Sequence, residues 1–216
     1  MNDRYVPAAG RALFTPLYDA VNAVAMRQGR WRPRLVERAL SGGAPVRILD
    51  LGCGTGAMAL ALARASPSST LIGVDGDPDV LERAQAKAHS EGIELELHQG
   101  LADRLPIPDE SVQCVVSTLV FHHLAPSVKR DAFAEARRVL EPGGRLLICD
   151  VGRASDPVMR AAFFVVQLLD GFANTRAHAH GELPGIVAQA GFSGVTVFGR
   201  YRTGGGTLEL IEALRP

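Results

Sequence analysis

A short apolar run passes directly into a glycine-rich turn and then into a helix-forming stretch: Val46-Arg47-Ile48-Leu49-Asp50-Leu51-Gly52-Cys53-Gly54-Thr55-Gly56, followed by Ala57. Few features restrict a fold more. Glycines at 52, 54 and 56 let the backbone turn and approach a ligand where a Cβ would collide, and the helix start behind them offers unpaired N–H groups. After this turn, short apolar runs alternate with helical segments, which is the pattern of βαβ units and a parallel sheet. Strands are expected at 46–50, 70–75, 93–98, 112–118 and 145–151, with helices at 57–64, 78–91 and 127–140. Asp77 caps the second of these helices and Gly92 stops it.

Downstream the spacing lengthens. A very apolar helix is expected at 156–172, then a polar irregular connection, then a helix at 181–190 closed by Gly191. Two last strands follow at 195–200 and 207–213. The link Tyr201-Arg202-Thr203-Gly204-Gly205-Gly206 is short enough for a hairpin and too short for a parallel crossover, so the final strand should run antiparallel to its neighbour. Ahead of the first strand, 15–40 reads as helical, with Thr15 as cap, Pro16 at the first helical position, and a break near Gly29 and Pro33. The expected organisation is a helical cover at 1–44 and an α/β domain at 45–216 with a helical lid insertion at about 153–190, together one structural domain.

The 216 residues are 47% hydrophobic and 21% charged, which excludes a disordered or fibrous chain. Lys plus Arg and Asp plus Glu are 23 each, so no global field steers the chain onto nucleic acid. The zero is a cancellation: residues 1–47 carry eight Arg against three acids, and residues 75–115 carry ten acids against three bases. The arginines 27, 30, 32, 34 and 38 read either as a solvated helix face or as a basic cover over a pocket. No basic-then-apolar leader and no run of membrane-spanning length is visible, so a cytoplasmic protein is expected. Cys53, Cys114 and Cys149 lack paired spacing and read as reduced, buried side chains.

The second strand ends Leu71-Ile72-Gly73-Val74-Asp75, setting a carboxylate beside the glycine turn where it can accept both hydroxyls of a ribose. On the glycines alone, Gly52-x-Gly54-x-x-Ala57 also satisfies a loose dinucleotide fingerprint. Taken together, ILDLGCGTG, IGVDGDP, GLADRLPIPDESVQCVVST, FHHL and RVLEPGGRLLICD resemble the class I S-adenosylmethionine-dependent methyltransferases. The likeness is to the small single-domain subgroup of quinone-biosynthesis and phospholipid N-methyltransferases. It covers about Val46 to Val151 and implies a doubly wound, mostly parallel seven-stranded Rossmann-like α/β sheet with a C-terminal antiparallel hairpin.

The resemblance further implies S-adenosyl-L-methionine as cofactor, leaving as S-adenosyl-L-homocysteine. Asp50, Gly52, Cys53, Gly54 and Gly56 would surround its methionine moiety, Asp75 with Gly76 its ribose, Leu101 and Ala102 its adenine, and Ser117 its amino-acid end. Tyr18, in a Tyr18-Asp19 pair, would close over it, or is simply a half-buried aromatic. One departure stands out: the family often has Asp where this chain has Leu101, so a backbone group there or Asp103 must meet the adenine amine.

His122 and His123 follow the fourth strand on the side where the crevice of an open α/β sheet opens. Imidazole suits a general base at neutral pH, and His123 and His122 are the catalytic candidates, with Asp150 as an orienting group; packing beneath the loop is the other reading of the histidines. His178 and His180 lack a third ligand of suitable spacing, so no metal site is expected. The apolar 161–169 stretch would roof a substrate pocket, form a subunit contact or touch a membrane surface. The expected activity is methyl transfer to a small apolar or amphipathic acceptor by a monomer or homodimer. A nicotinamide-dependent oxidoreductase and a non-methylating S-adenosylmethionine-binding protein are the alternatives.

Overall fold

The computed structural model describes residues 24–43 and 46–216. Five strands alternate with helices in the first part of the chain: β1 (Arg47–Leu51), α2 (Ala57–Ala65), β2 (Thr70–Asp75), α3 (Pro78–Ser90), β3 (Glu96–Gln99), β4 (Val112–Thr118), α4 (Pro126–Val139) and β5 (Leu140–Val151), preceded by α1 (Gln28–Leu40). Helices α5 (Pro157–Asp170), α6 (Phe172–His180) and α7 (Leu183–Gln189) lead into β6 (Ser193–Thr203) and β7 (Gly206–Leu214). They form one seven-stranded sheet in the order β3-β2-β1-β4-β5-β7-β6. Pairings from β3 to β5 are parallel, and β7 runs antiparallel to both β5 and β6. This is the expected doubly wound sheet with its terminal hairpin. The order reverses at β1, so a crevice opens above the carboxyl ends of β1 and β4.

Strand alternation sorts the core onto two faces. Leu49 and Leu51 of β1, Val115 of β4 and Ile148 of β5 pack with Phe133 of α4 and Val187 of α7. Ile48, Val116, Leu147 and Cys149 point the other way, toward Trp31 and Leu35 of α1, Leu62 of α2 and Phe163 of α5. Asp50, one residue from Leu49 and Leu51, therefore lies on the α2 side. All three cysteines are free and buried.

Several boundaries differ from expectation for physical reasons. Helix α1 runs through both Gly29 and Pro33, and the break falls at Arg27, whose φ of 49° is left-handed. Tertiary partners take the carbonyls just before it: Gly204 N–H donates to Ala25 O at 2.8 Å and Trp31 Nε1 to Met26 O at 3.0 Å. Strand β3 starts later than residue 93 because the Ile93 N–H is still donated to Ala88 O, at the end of α3. The stretch expected to be irregular before residue 181 is helix α6, so His178 and His180 do not lie on an extended segment. Asp77 caps α3 as read, its Oδ1 accepting from Asp79 N–H at 2.9 Å. Thr15, Tyr18 and Asp19 lie outside the described residues.

Candidate functional site

The glycine turn joins β1 to α2. Gly52 and Cys53 both donate backbone N–H to Val74 O, at 2.8 and 3.1 Å, which ties the turn to β2. The glycines serve different ends. A Cβ on Gly52 would stand 2.3 Å from Val120 Cγ2, and one on Gly56 3.0 Å from Ala84 Cβ, so these positions are needed for packing. Gly54, at φ +52°, has nothing within 4 Å of its Cβ position and faces open space.

Asp75 closes over this turn from the end of β2. Its Oδ2 accepts the Gly54 N–H at 2.8 Å and its Oδ1 the Asp77 N–H at 3.0 Å. Burial raises its pKa above the ordinary carboxylate value, opposed by those N–H donors. Asp50 is wholly buried beneath the turn; its Oδ2 accepts from Ala59 N–H at 3.1 Å, and its Oδ1 has no partner. Burial pushes its pKa up to about 7, opposed first by the Ala59 N–H and to a smaller extent by the Arg32 guanidinium of α1. Arg32 is thus set apart from the solvated arginines of its helix, while Arg38 pairs with Glu212 at 2.5 Å. Beyond β3, Gly100 N–H donates to Asp75 O at 3.0 Å, and Leu101 makes an isolated bridge with Arg104. Leu101 and Ala102 are half-buried there. Ser117 spends its hydroxyl inside the sheet, donating to Leu51 O at 2.9 Å.

Across the crevice, β4 ends in a left-handed Leu119 at φ 60°, a strained conformation for a leucine. Val120 follows with its side chain against Gly52, and the 3-10 turn Phe121–His123 comes next. Asp150, at the end of β5 and 1% exposed, accepts from His122 Nδ1 at 2.6 Å, from Val151 N–H at 2.7 Å and, on its other oxygen, from Phe121 N–H at 2.7 Å. Burial alone would raise the Asp150 pKa, but the His122 imidazole and these donors hold it well below the usual carboxylate range. Burial likewise opposes the charge on His122, and Asp150 and then Asp170 outweigh it, so its pKa is raised.

The structure joins His122 and Asp150, separate candidates in the sequence, and adds three residues that complete the cluster. Asp170 Oδ1 lies 3.0 Å from His123 Nδ1. His178, wholly buried on α6, donates Nδ1–H to Val151 O at 2.6 Å while its Nε2 has no partner; burial pushes its pKa down to about 4. Lys129 is buried too, donating Nζ–H to Asn174 O at 2.9 Å, and burial lowers its pKa to about 8. His180 is exposed on the far side of α6. One signal for Asp170 was in the sequence: a lone acid in the last turn of an apolar helix, where the dipole disfavours negative charge.

Helix α5 buries Met159, Phe163 and Gln167 and exposes Val158, Phe164, Val165, Leu168 and Leu169, with Phe172 beside them. Among the described residues no helix is long and apolar enough to cross a membrane. An open hollow of about 1000 Å³ lined by Ser68, Thr70, His89 and Glu94 lies at the opposite edge of the sheet, by the amino ends of β2 and β3.

Comparison with known proteins fits this geometry. Residues 48–144 match the family described as a methyltransferase domain. The chain is 31% identical over 216 aligned positions to the ubiquinone/menaquinone biosynthesis C-methyltransferase UbiE of Syntrophotalea carbinolica, covering 89% of this chain and 90% of that one. It is 39% identical over 137 residues to the demethylmenaquinone methyltransferase of Thermus thermophilus, covering 62% of this chain and 61% of the relative. The chain thus spans about three-fifths of that protein, and 63% of the corresponding enzyme of Deinococcus radiodurans. In fold it is similar to the YcgJ protein of Bacillus subtilis, with a TM-score of 0.69 at 21% identity, covering 87% of this chain and 98% of that one. A methyltransferase from Aquifex aeolicus superposes with a TM-score of 0.66 at 18% identity, covering 93% and 95%. The chain belongs to the class I S-adenosylmethionine-dependent methyltransferases.

Proposed function

We propose that this chain transfers a methyl group from S-adenosylmethionine to a small apolar or amphipathic acceptor. The observation that carries the reading is the open Gly54 turn, its N–H held at 2.8 Å by the strand-end carboxylate of Asp75. The residues fit the cofactor: a Cβ at 54 would fill the space a ligand needs, and the buried, unpartnered Oδ1 of Asp50 lies under the same turn. Asp50, Gly52, Cys53, Gly54 and Gly56 would hold its methionine end, Asp75 and Gly76 its ribose, Leu101 and Ala102 its adenine, with Ser117 below and Tyr18 above. When bound, the cofactor supplies a methyl carbon on a sulfonium, and the sulfur–carbon bond breaks as the acceptor–carbon bond forms in line.

The chain's own work is to align the acceptor, exclude water and receive the acceptor's proton. His123, its Nδ1 facing Asp170, keeps Nε2 for that proton; His122, fixed by Asp150, orients the acceptor beside it. A quinone-type ring agrees with the names of the relatives and with the apolar α5. In this reading residues 1–44 are a cover, 153–190 a lid, and the exposed face of α5 a site of peripheral contact with a membrane surface in a cytoplasmic monomer or homodimer.

Isothermal titration of wild type and Asp75→Ala with S-adenosylhomocysteine, NAD and NADP tests the cofactor. Binding of the first alone, weakened at least about tenfold in the variant, is expected, because a charge-assisted hydrogen bond contributes about 1.5–3 kcal/mol. Binding of a nicotinamide nucleotide instead, or no loss in the variant, sinks the reading. Labelled-methyl transfer to cell extract tests the reaction, and an undiminished rate in His123→Ala removes the general base while leaving methyl transfer standing.

A further inference from the structure

Among the described residues, His122, His123 and Asp170 each offer one ligand atom, and these atoms lie within 4.8 Å of one another. We propose that they form a divalent-cation site, two imidazoles and one carboxylate at the rim of the crevice, taking a first-row transition ion such as Zn²⁺, Co²⁺, Fe²⁺ or Mn²⁺. This departs from the sequence expectation of no metal. The third ligand missing from the sequence pattern arrives through space, from the last turn of α5.

The distances suit the set. Asp170 Oδ1 is 3.0 Å from His123 Nδ1, and Asp170 Oδ2 is 3.7 Å from His122 Nε2. Donor atoms sharing one ion at about 2.1 Å stand roughly 3.0–3.4 Å apart, so the three ligand atoms, here within 4.8 Å of one another, complete the triad by drawing together through side-chain rotation. A combination of imidazole nitrogen and carboxylate oxygen without thiolate suits these ions over Ca²⁺ or Mg²⁺, which prefer oxygen.

Three further observations point to a ligand. The Asp150 carboxylate, fully buried, takes His122 Nδ1 at 2.6 Å and leaves Nε2 turned toward Asp170; carboxylates behind ligating imidazoles fix ring and tautomer in this way. Asn174 Nδ2 donates to His123 O at 3.0 Å and to Asp170 O at 3.2 Å, bracing the two ligand-bearing segments against each other. Finally, Asp170 lies where α5 ends and α6 begins, its carboxylate facing both imidazoles at that junction. The cluster's side chains are 8%, 25% and 15% exposed, sheltered yet reachable. The carboxylates of Asp150 and Asp170 both face the imidazole of His122, and the buried Lys129 ammonium is occupied by Asn174 O at 2.9 Å. With only three protein ligands, the ion keeps positions open for water or for an oxygen of a bound acceptor, and while it is bound His123 carries its hydrogen on Nε2, so cation binding and proton acceptance at that imidazole exclude one another.

The test uses the full chain stripped with a chelator and assayed without cofactor, so that it stands or falls independently of methyl transfer. Cobalt(II) is titrated by its visible absorption, and Zn²⁺ and Mn²⁺ by calorimetry. One ion per chain is expected, with a ligand-field band of nitrogen and oxygen coordination. Asp170→Asn and His123→Gln should each weaken binding more than about 100-fold, and Asp150→Asn by about 10–100-fold, as for groups behind a ligand. His180→Gln, an exposed histidine outside the cluster, should leave binding unchanged. Circular dichroism and thermal midpoints establish that each variant is folded; if one ligand variant does not fold, the other answers the same question. Absence of one-to-one binding in the wild type, or equal binding in wild type and a folded ligand variant, overturns the site.

Discussion

Asp150 and His122 stand 28 positions apart in sequence and 2.6 Å apart in space, joined across the carboxyl ends of β5 and β4 with the carboxylate wholly enclosed. Each of its oxygens also accepts a backbone N–H, from Phe121 or Val151, so the pair fixes the turn that carries both histidines. Removing one member of a buried ion pair costs about 3–5 kcal/mol, because the other charge is left without its partner. Asp150→Ala should lose about that much in urea unfolding, and His122→Ala a comparable amount. A loss below about 1 kcal/mol in both would mean the pair does not hold the turn.

Gly52 and Gly54 should respond oppositely to alanine. At 52 the new Cβ meets Val120 at 2.3 Å on a backbone that is left-handed too, at φ +71°, so Gly52→Ala should cost about 1–3 kcal/mol by overpacking on top of about 1–2 kcal/mol of backbone strain, with the larger loss of stability of the two. At 54 there is free space, and Gly54→Ala should cost only about 1–2 kcal/mol for its left-handed backbone while weakening S-adenosylhomocysteine by tenfold or more. Thermal melts and calorimetry on the two variants separate the effects.

Asp50 gives a pH dependence with a definite sign. Its folded pKa, about 7, exceeds its ordinary 3.8, so between those values the folded state binds the additional proton. Its contribution therefore falls as pH rises from about 4 to 7, by up to a few kcal/mol. Asp50→Asn, which cannot ionise, should be destabilised less than the wild type on going from pH 5 to pH 8, read from urea midpoints. Parallel curves for the two proteins would show that Asp50 stays ionised throughout.

The two faces of α5 should differ sharply. Phe163→Ala, in the core, should cost about 3–5 kcal/mol, whereas Leu168→Ser and Leu169→Ser, exposed by 60% and 77%, should each change stability by no more than about 0.5 kcal/mol. Chemical denaturation checks both; a large loss at 168 or 169 would mean this face is covered in solution.

What could be read from the sequence was local. The run into Gly52, Gly54 and Gly56 and the strand ending at Asp75 are contiguous patterns, and the short Gly-rich link to Gly206 requires an antiparallel return whatever lies around it. Asp170 meeting His123 is not legible, because the contact spans 47 positions and depends on how α5, packed on β7, hands over to α6 beside the 3-10 turn. His178 was taken for a loop residue because a polar stretch flanked by Gly171 and Gly181 shows little apolar periodicity; α6 forms there and turns the imidazole inward. Arg27 is illegible for the same class of reason, since its left-handed backbone goes with Ala25 O accepting from Gly204 N–H, far along the chain, and Met26 O accepting from the Trp31 side chain one turn on.

Arg32 links the amino-terminal helix to the interior. Its guanidinium favours the ionised form of Asp50, although the two belong to different elements and Asp50 lies wholly inside. The attraction is mutual, so ionisation of Asp50 adds to the packing of Trp31, Leu35 and Ala39 in seating α1, and the first described helix is held a little more firmly once that carboxyl has lost its proton.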